Sequence, residues 1–170
     1  MSTSLLRDAF GHHVWATLQL LDACLALSPE QLGTAVPGTY GSILETMRHL
    51  VGGDSFYLFM ASRERTPVID EGQMNLTELR VVMESNGAAW ARILGGDVDP
   101  DAIPPEAEDE YGYVRDAQMG IRLAQALHHG TDHRSQICTA LTTLGLEPPA
   151  IDVWDFGLQD GRVVDTPPTS

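Results

Sequence analysis

The run from Ala117 to Leu144 constrains this chain more than any other stretch. It reads as one continuous helix, stopped by Gly145, a residue suited to the left-handed turn that closes a helix. Its core segment, LAQALHHGTDHRSQICTALTTL from Leu123 to Leu144, contains three histidines. His129 and His133 lie four residues apart, so they stack one turn apart on one helix face. They share that face with Ala126, Gln136, Ile137, Ala140 and Leu144, mostly the inward stripe. Ionisable groups on an inward stripe need partners. Two imidazoles at this spacing can reach one metal ion. Two histidines satisfied by carbonyls and water are the plain alternative, since six histidines in 170 residues yield such a pair by chance in roughly one sequence in five. His128 points about 100° away from His129 and is read as a non-ligand.

Three more helices are expected before this one. Ser4 to Leu27 places Leu5, Ala9, Val14, Leu18, Leu21 and Leu25 near helical spacing, and a short turn at Pro29 to Leu32 follows Ser28. After a Gly/Pro-containing loop from Gly33 to Gly41, Ser42 and Glu45 form a capping-box pattern that opens a helix ending near Arg65. That helix carries His49, the third candidate ligand, and Gly52 and Gly53, which admit either a close approach or tolerated weakness. Asn75 or Thr77 opens the next helix, which Gly95 and Gly96 stop. A small hairpin is expected over Glu110 to Arg115, and a short terminal helix over Ile151 to Leu158. The fold class is therefore all-α, a four-helix bundle in a single domain over residues 1–170, with that hairpin and short helix as additions.

Composition excludes several functions. The net charge of −14, half of it between Asp97 and Asp116, argues against a nucleic-acid surface. No apolar run approaches the roughly 18–20 residues that cross a bilayer, and the N-terminus, broken by Arg7, Asp8 and two histidines, is no secretory leader. We expect a cytoplasmic protein with no membrane partner. Cys24 and Cys138 are expected to be buried reduced thiols rather than a disulfide. Phosphate loops, nucleophile elbows and dinucleotide fingerprints are missing from the sequence.

Three histidines without an obvious fourth ligand describe an open site, the arrangement of catalytic rather than structural zinc. Glu45, Asp54 and Asp132 are candidates to orient the imidazoles, each with an exposed helix charge as its alternative, which is the favoured reading for Asp132. Asp54 and Glu45 are also the weak candidates for a general base. Arg122, seven residues before His129, is a candidate for a substrate carboxylate, with a surface salt bridge as the alternative. His12 and His13 are expected at the surface, although one could face the interior.

The run HHGTDHRSQICTALTTLG resembles the last-helix signature of the DinB/YfiT-like family, with His129, His133, Arg134, Ser135 and Gln136 at the matching positions. LETMRHLVGGDSFYLF resembles that family's second-helix segment through His49, Leu50, Asp54, Phe56 and Tyr57. GHHVWATLQLLDACLALSPEQL and PPAIDVWDF also look like family segments. The resemblance implies a four-helix bundle holding a divalent metal on His49, His129 and His133, with zinc, nickel or iron as occupant. It further implies a homodimer, a small-molecule substrate, and activity as a metal-dependent hydrolase or as a transferase or isomerase that uses a low-molecular-weight thiol. A non-catalytic metal-binding or stress-response bundle is the alternative. Ser135 replaces the usual Gly, and Asp132 stands where relatives often carry His.

Overall fold

The structure is a computed structural model that describes residues 5–62, 69–104 and 116–166. Four long helices form it: α1 (Leu5–Cys24), α3 (Ile43–Ser62), α4 (Leu76–Ile93) and α5 (Met119–Thr143), with short α2 (Pro29–Leu32) and α6 (Val153–Gln159). Among the described residues there is no strand, only an isolated bridge between Ala35 and Ser42. The all-α bundle is the expected fold class. The Glu110–Arg115 hairpin lies outside the described residues. No described helix is long and apolar enough to cross a membrane.

Local chemistry sets the helix ends. The Ser42 backbone N–H donates to Glu45 Oε2 at 2.8 Å and the Glu45 N–H donates to Ser42 Oγ at 3.3 Å, which is the expected capping box. Glu45 is thereby engaged, its carboxyl held below the usual range by the Ser42 N–H. Asn75 and Glu78 cap α4 reciprocally in the same way. Gly145, at φ 74°, closes α5, with the Leu146 N–H donating to Leu141 O at 3.0 Å. The first helix ends at Cys24, short of the expected Leu27. There Ser28 is drawn off to cap α2, and its side chain accepts from the Gln31 N–H.

Around the bundle the order is α1, α4, α3, α5, since α3 packs on α5 and α4, and α1 packs on α4 and α5. Two apolar clusters fill it. One joins Leu20, Leu21, Met47, Leu50, Leu79, Met83 and Ile137; the other joins Phe10, Leu58, Trp90, Leu94, Leu123 and Ala126. Each long helix runs from one cluster to the other, α1 and α5 in one direction, α3 and α4 in the opposite one. Between the clusters, every long helix contributes buried polar side chains: His13 and Thr17 from α1, Asp54 and Ser55 from α3, Asn86 from α4, and Arg134 from α5. A polar layer thus divides the core.

Candidate metal centre

His49 sits on α3, and His129 and His133 sit on the facing turns of the antiparallel α5. One ligand nitrogen from each lies within 4.8 Å of the other two. The ring centroids are 4.4 Å (His129–His133), 4.9 Å (His49–His133) and 5.1 Å (His49–His129) apart. His49 Nε2 and His129 Nε2 stand 3.3 Å apart. Two nitrogens bound tetrahedrally to one zinc ion at about 2.0–2.1 Å are separated by about 3.3 Å. The donor set fits a divalent ion of the borderline, imidazole-preferring class.

The partners of the other ring nitrogens set the tautomers. His133 Nδ1–H donates to Gln136 Oε1 at 3.1 Å, and the same oxygen accepts the Tyr40 backbone N–H at 2.9 Å. His49 Nδ1 faces Glu71 Oε1 at 3.5 Å. In His133 that bond leaves Nε2 as a lone pair aimed into the cluster, and in His49 a proton on Nδ1, toward Glu71, would do the same. A proton on His129 Nε2 can satisfy only one of them, whereas a cation satisfies all three nitrogens at once. Burial, then the neighbouring His133 and His49, push His129 down to about 4, so its ring is neutral near pH 7 and able to ligate. Burial also lowers His133, partly offset by its bond to Gln136.

Close helix approach makes this convergence possible. A Cβ on Gly53 would fall 3.0 Å from His129 Nε2 and closer still to Cε1, and one on Gly52 would fall 2.8 Å from Glu71 Oε1. Of the two readings of this glycine pair, close approach is the one observed. Tyr40 stacks on His49 with centroids 3.9 Å apart and the planes 8° from parallel, and Tyr57 meets His129 edge-on at 5.2 Å. Gln125 donates to the Tyr57 hydroxyl at 3.2 Å.

Several expected roles do not hold. Asp54 neither orients a cluster histidine nor reaches solvent: it is 2% exposed and accepts from His13, Trp90 and Asn86. Glu45 is taken up by the helix cap, whereas Asp132 is the exposed helix charge expected of it. The orienting groups are instead Gln136 and Glu71. Gln136 was legible as the residue one turn past His133, whereas Glu71 lies in a turn without periodicity. Arg122 is buried, and its Nε donates to Ala117 O at 3.1 Å. His13 is 1% exposed rather than at the surface, and its place on the Phe10–Thr17–Leu20 stripe could have shown this. His12 is half-buried, donating to Ile151 O at 2.8 Å. His128 is exposed. Cys24 and Cys138 are free thiols, and burial raises Cys24 to about 12, which leaves it inert near neutrality.

No curated protein matches the chain. The DinB family matches it over residues 1–161, almost its whole length. The helical bundle and the converging His49, His129 and His133 agree with that match, and the chain belongs to the DinB family.

Proposed function

We propose that this protein holds one divalent metal ion on His49, His129 and His133 and uses it for enzymatic chemistry on a small molecule. The observation that carries the reading is the convergence of three imidazoles, with Gln136 bonded to the far nitrogen of His133 and Glu71 facing that of His49. A divalent ion there would lower the pKa of a thiol or water in its open position and polarise an electrophile. The chain's own part is orientation. Gln136 and the Tyr40 backbone hold His133, Glu71 faces His49, and Gly53 lets the His129 ring settle against α3. Tyr40, 54% exposed and stacked on His49, offers an aromatic wall to a substrate beside the site.

Thiol-dependent transfer or isomerisation is the leading reaction. It asks only for an activated thiol and a substrate wall, and the two carboxylates first considered as bases, Asp54 and Glu45, are committed elsewhere. One observation favours hydrolysis as a second reading: Glu71, exposed and beside His49, is placed where a general base could serve. Zinc or nickel is the preferred ion, with iron third. Two free thiols suit a reducing cytoplasm, and we extend the proposal to a homodimer, read by light scattering.

The test is turnover of a small electrophile by the metal-loaded protein with and without a low-molecular-weight thiol. Thiol-dependent turnover lost in His129→Ala supports transfer. Thiol-independent turnover lost in Glu71→Gln supports hydrolysis. No turnover of either kind by a metal-loaded protein supports a non-catalytic metal-binding bundle.

A further inference from the structure

The polar layer between the two apolar clusters plays no part in the metal reading so far. Its centre is a chain of charge and hydrogen bonds. Arg134 Nη1 donates to His13 Nδ1 at 2.9 Å and to Thr17 Oγ1 at 3.2 Å, and Nη2 donates to Thr131 Oγ1 at 3.1 Å. His13 Nε2–H donates to Asp54 Oδ1 at 2.9 Å. The same Asp54 oxygen accepts from Trp90 Nε1 at 3.0 Å, and Oδ2 accepts from Asn86 Nδ2 at 2.9 Å. All four long helices are joined in it. His13, held between a donor and an acceptor, is a neutral imidazole linking a buried cation to a buried anion.

Such a layer is an expensive way to hold helices together. Replacing buried ion pairs by apolar side chains of similar volume is often neutral or stabilising. Asn86 Oδ1 is left without a hydrogen-bond partner, the one buried side-chain polar atom among the described residues in that state. Turning the amide would satisfy that oxygen poorly, since it would then face the Asp54 carboxylate. What a polar layer does supply is register: a sliding or rotating helix would strand a buried charge, whereas an apolar stripe tolerates such shifts.

The layer is covalently next to the candidate ligands. Asp54 follows Gly53, the residue against which His129 packs. Arg134 follows His133. Gly130 follows His129, and a Cβ there would fall 2.5 Å from His13 Nδ1 and 2.9 Å from Arg134 Nη1. On α5, residues 129 and 130 point about 100° apart, so the His129 ring leans on α3 while Gly130 receives His13 from α1. Rotation of α5 in either direction breaks one of these fits.

Building on the proposed metal centre, we infer that His13, Asp54 and Arg134 are positioning residues that set the rotation of α5 against α3 and hence the convergence of the three ligand histidines. None of the three touches the ion. Their contribution is geometric, and it separates from stability.

The experiment compares wild type with Arg134→Lys and with the apolar triple variant His13→Leu, Asp54→Leu, Arg134→Met. Thermal melts of the apo proteins give stability, chelator competition gives zinc affinity, and the visible spectrum of the cobalt(II)-loaded protein reports ligand geometry. We expect the folded triple variant to bind zinc roughly tenfold to hundredfold more weakly, the range for lost orienting contacts, with an altered cobalt spectrum whatever its melting temperature. Arg134→Lys, whose single ammonium cannot reach His13, Thr17 and Thr131 together, should show a smaller change in the same direction. It serves as the test if the triple variant does not fold. Folded variants with wild-type zinc affinity and an unchanged cobalt spectrum would overturn the positioning role while leaving the metal centre standing. A wild-type protein that binds neither zinc nor cobalt would overturn both.

Discussion

Two polar clusters built on histidine lie near the middle of this bundle, one around His13 alone and one of three histidines, and they have opposite chemistry. Around His13 the donors and acceptors are matched: Arg134 gives, Asp54 takes, and both are almost wholly buried. Around His49, His129 and His133 the rings turn lone pairs toward one point. The first is a closed network around His13, one partner short only at Asn86 Oδ1. The second is satisfied in full only by a cation. Identical side chains, His13 on α1 and the three histidines on α3 and α5, thus serve either structure or binding according to what their ring nitrogens face.

The contrast breaks most sharply when a charge is removed from the closed network. Asp54→Ala strands Arg134, His13, Trp90 and Asn86, and should destabilise the apo protein by about 3–5 kcal/mol, read by urea unfolding. His133→Ala should act in reverse, costing far less stability but abolishing metal uptake. If the two variants were destabilised alike, the distinction between the clusters would fail.

Gly53→Ala addresses the contact beside the boundary between them. The added methyl collides with the His129 ring, so a loss of about 1–3 kcal/mol from overpacking is expected, together with weaker zinc binding. A fully wild-type affinity would mean that the ring has another way to converge.

Much of the fold was legible because it rests on periodicity and local caps. Ser42 with Glu45 opened α3 where expected, and Gly145 closed α5. The candidate ligand histidines were legible from spacing on α5 and from His49 on another expected helix, and the family resemblance pointed to the same three. The supporting groups were harder to read. His13 occupies an apolar-stripe position, yet only the folded chain brings Asp54, from another helix, against it. Glu71 is in a turn, where no period marks a residue as inward, and its proximity to His49 depends on Gly52 having no side chain. The polar layer is a property of four helices at once, so no single segment displays it.

Smaller effects sharpen the comparison further. Gln136→Ala and Glu71→Ala each remove an acceptor facing a ring nitrogen and should weaken zinc binding about tenfold, measured by chelator competition, with the apo melt nearly unchanged. Acid should act on the open cluster. His129 in the fold is lowered to about 4 from its ordinary 6.5. Its neutral form is therefore favoured by folding, and the stability tied to it is present above about pH 6.5 and lost as pH falls toward 4. Apo wild type should lose stability across that window and His129→Ala should lose less, as unfolding curves at successive pH values would show.

The most direct measurement is elemental analysis of the protein purified without chelator, alongside His49→Ala, His129→Ala, His133→Ala and His128→Ala. The account predicts about one equivalent of a divalent metal per chain in wild type and His128→Ala, and near none in the other three. Wild type that carries no metal and takes up neither zinc nor nickel when they are added would contradict it, and would leave the three histidines as a packing feature of the bundle.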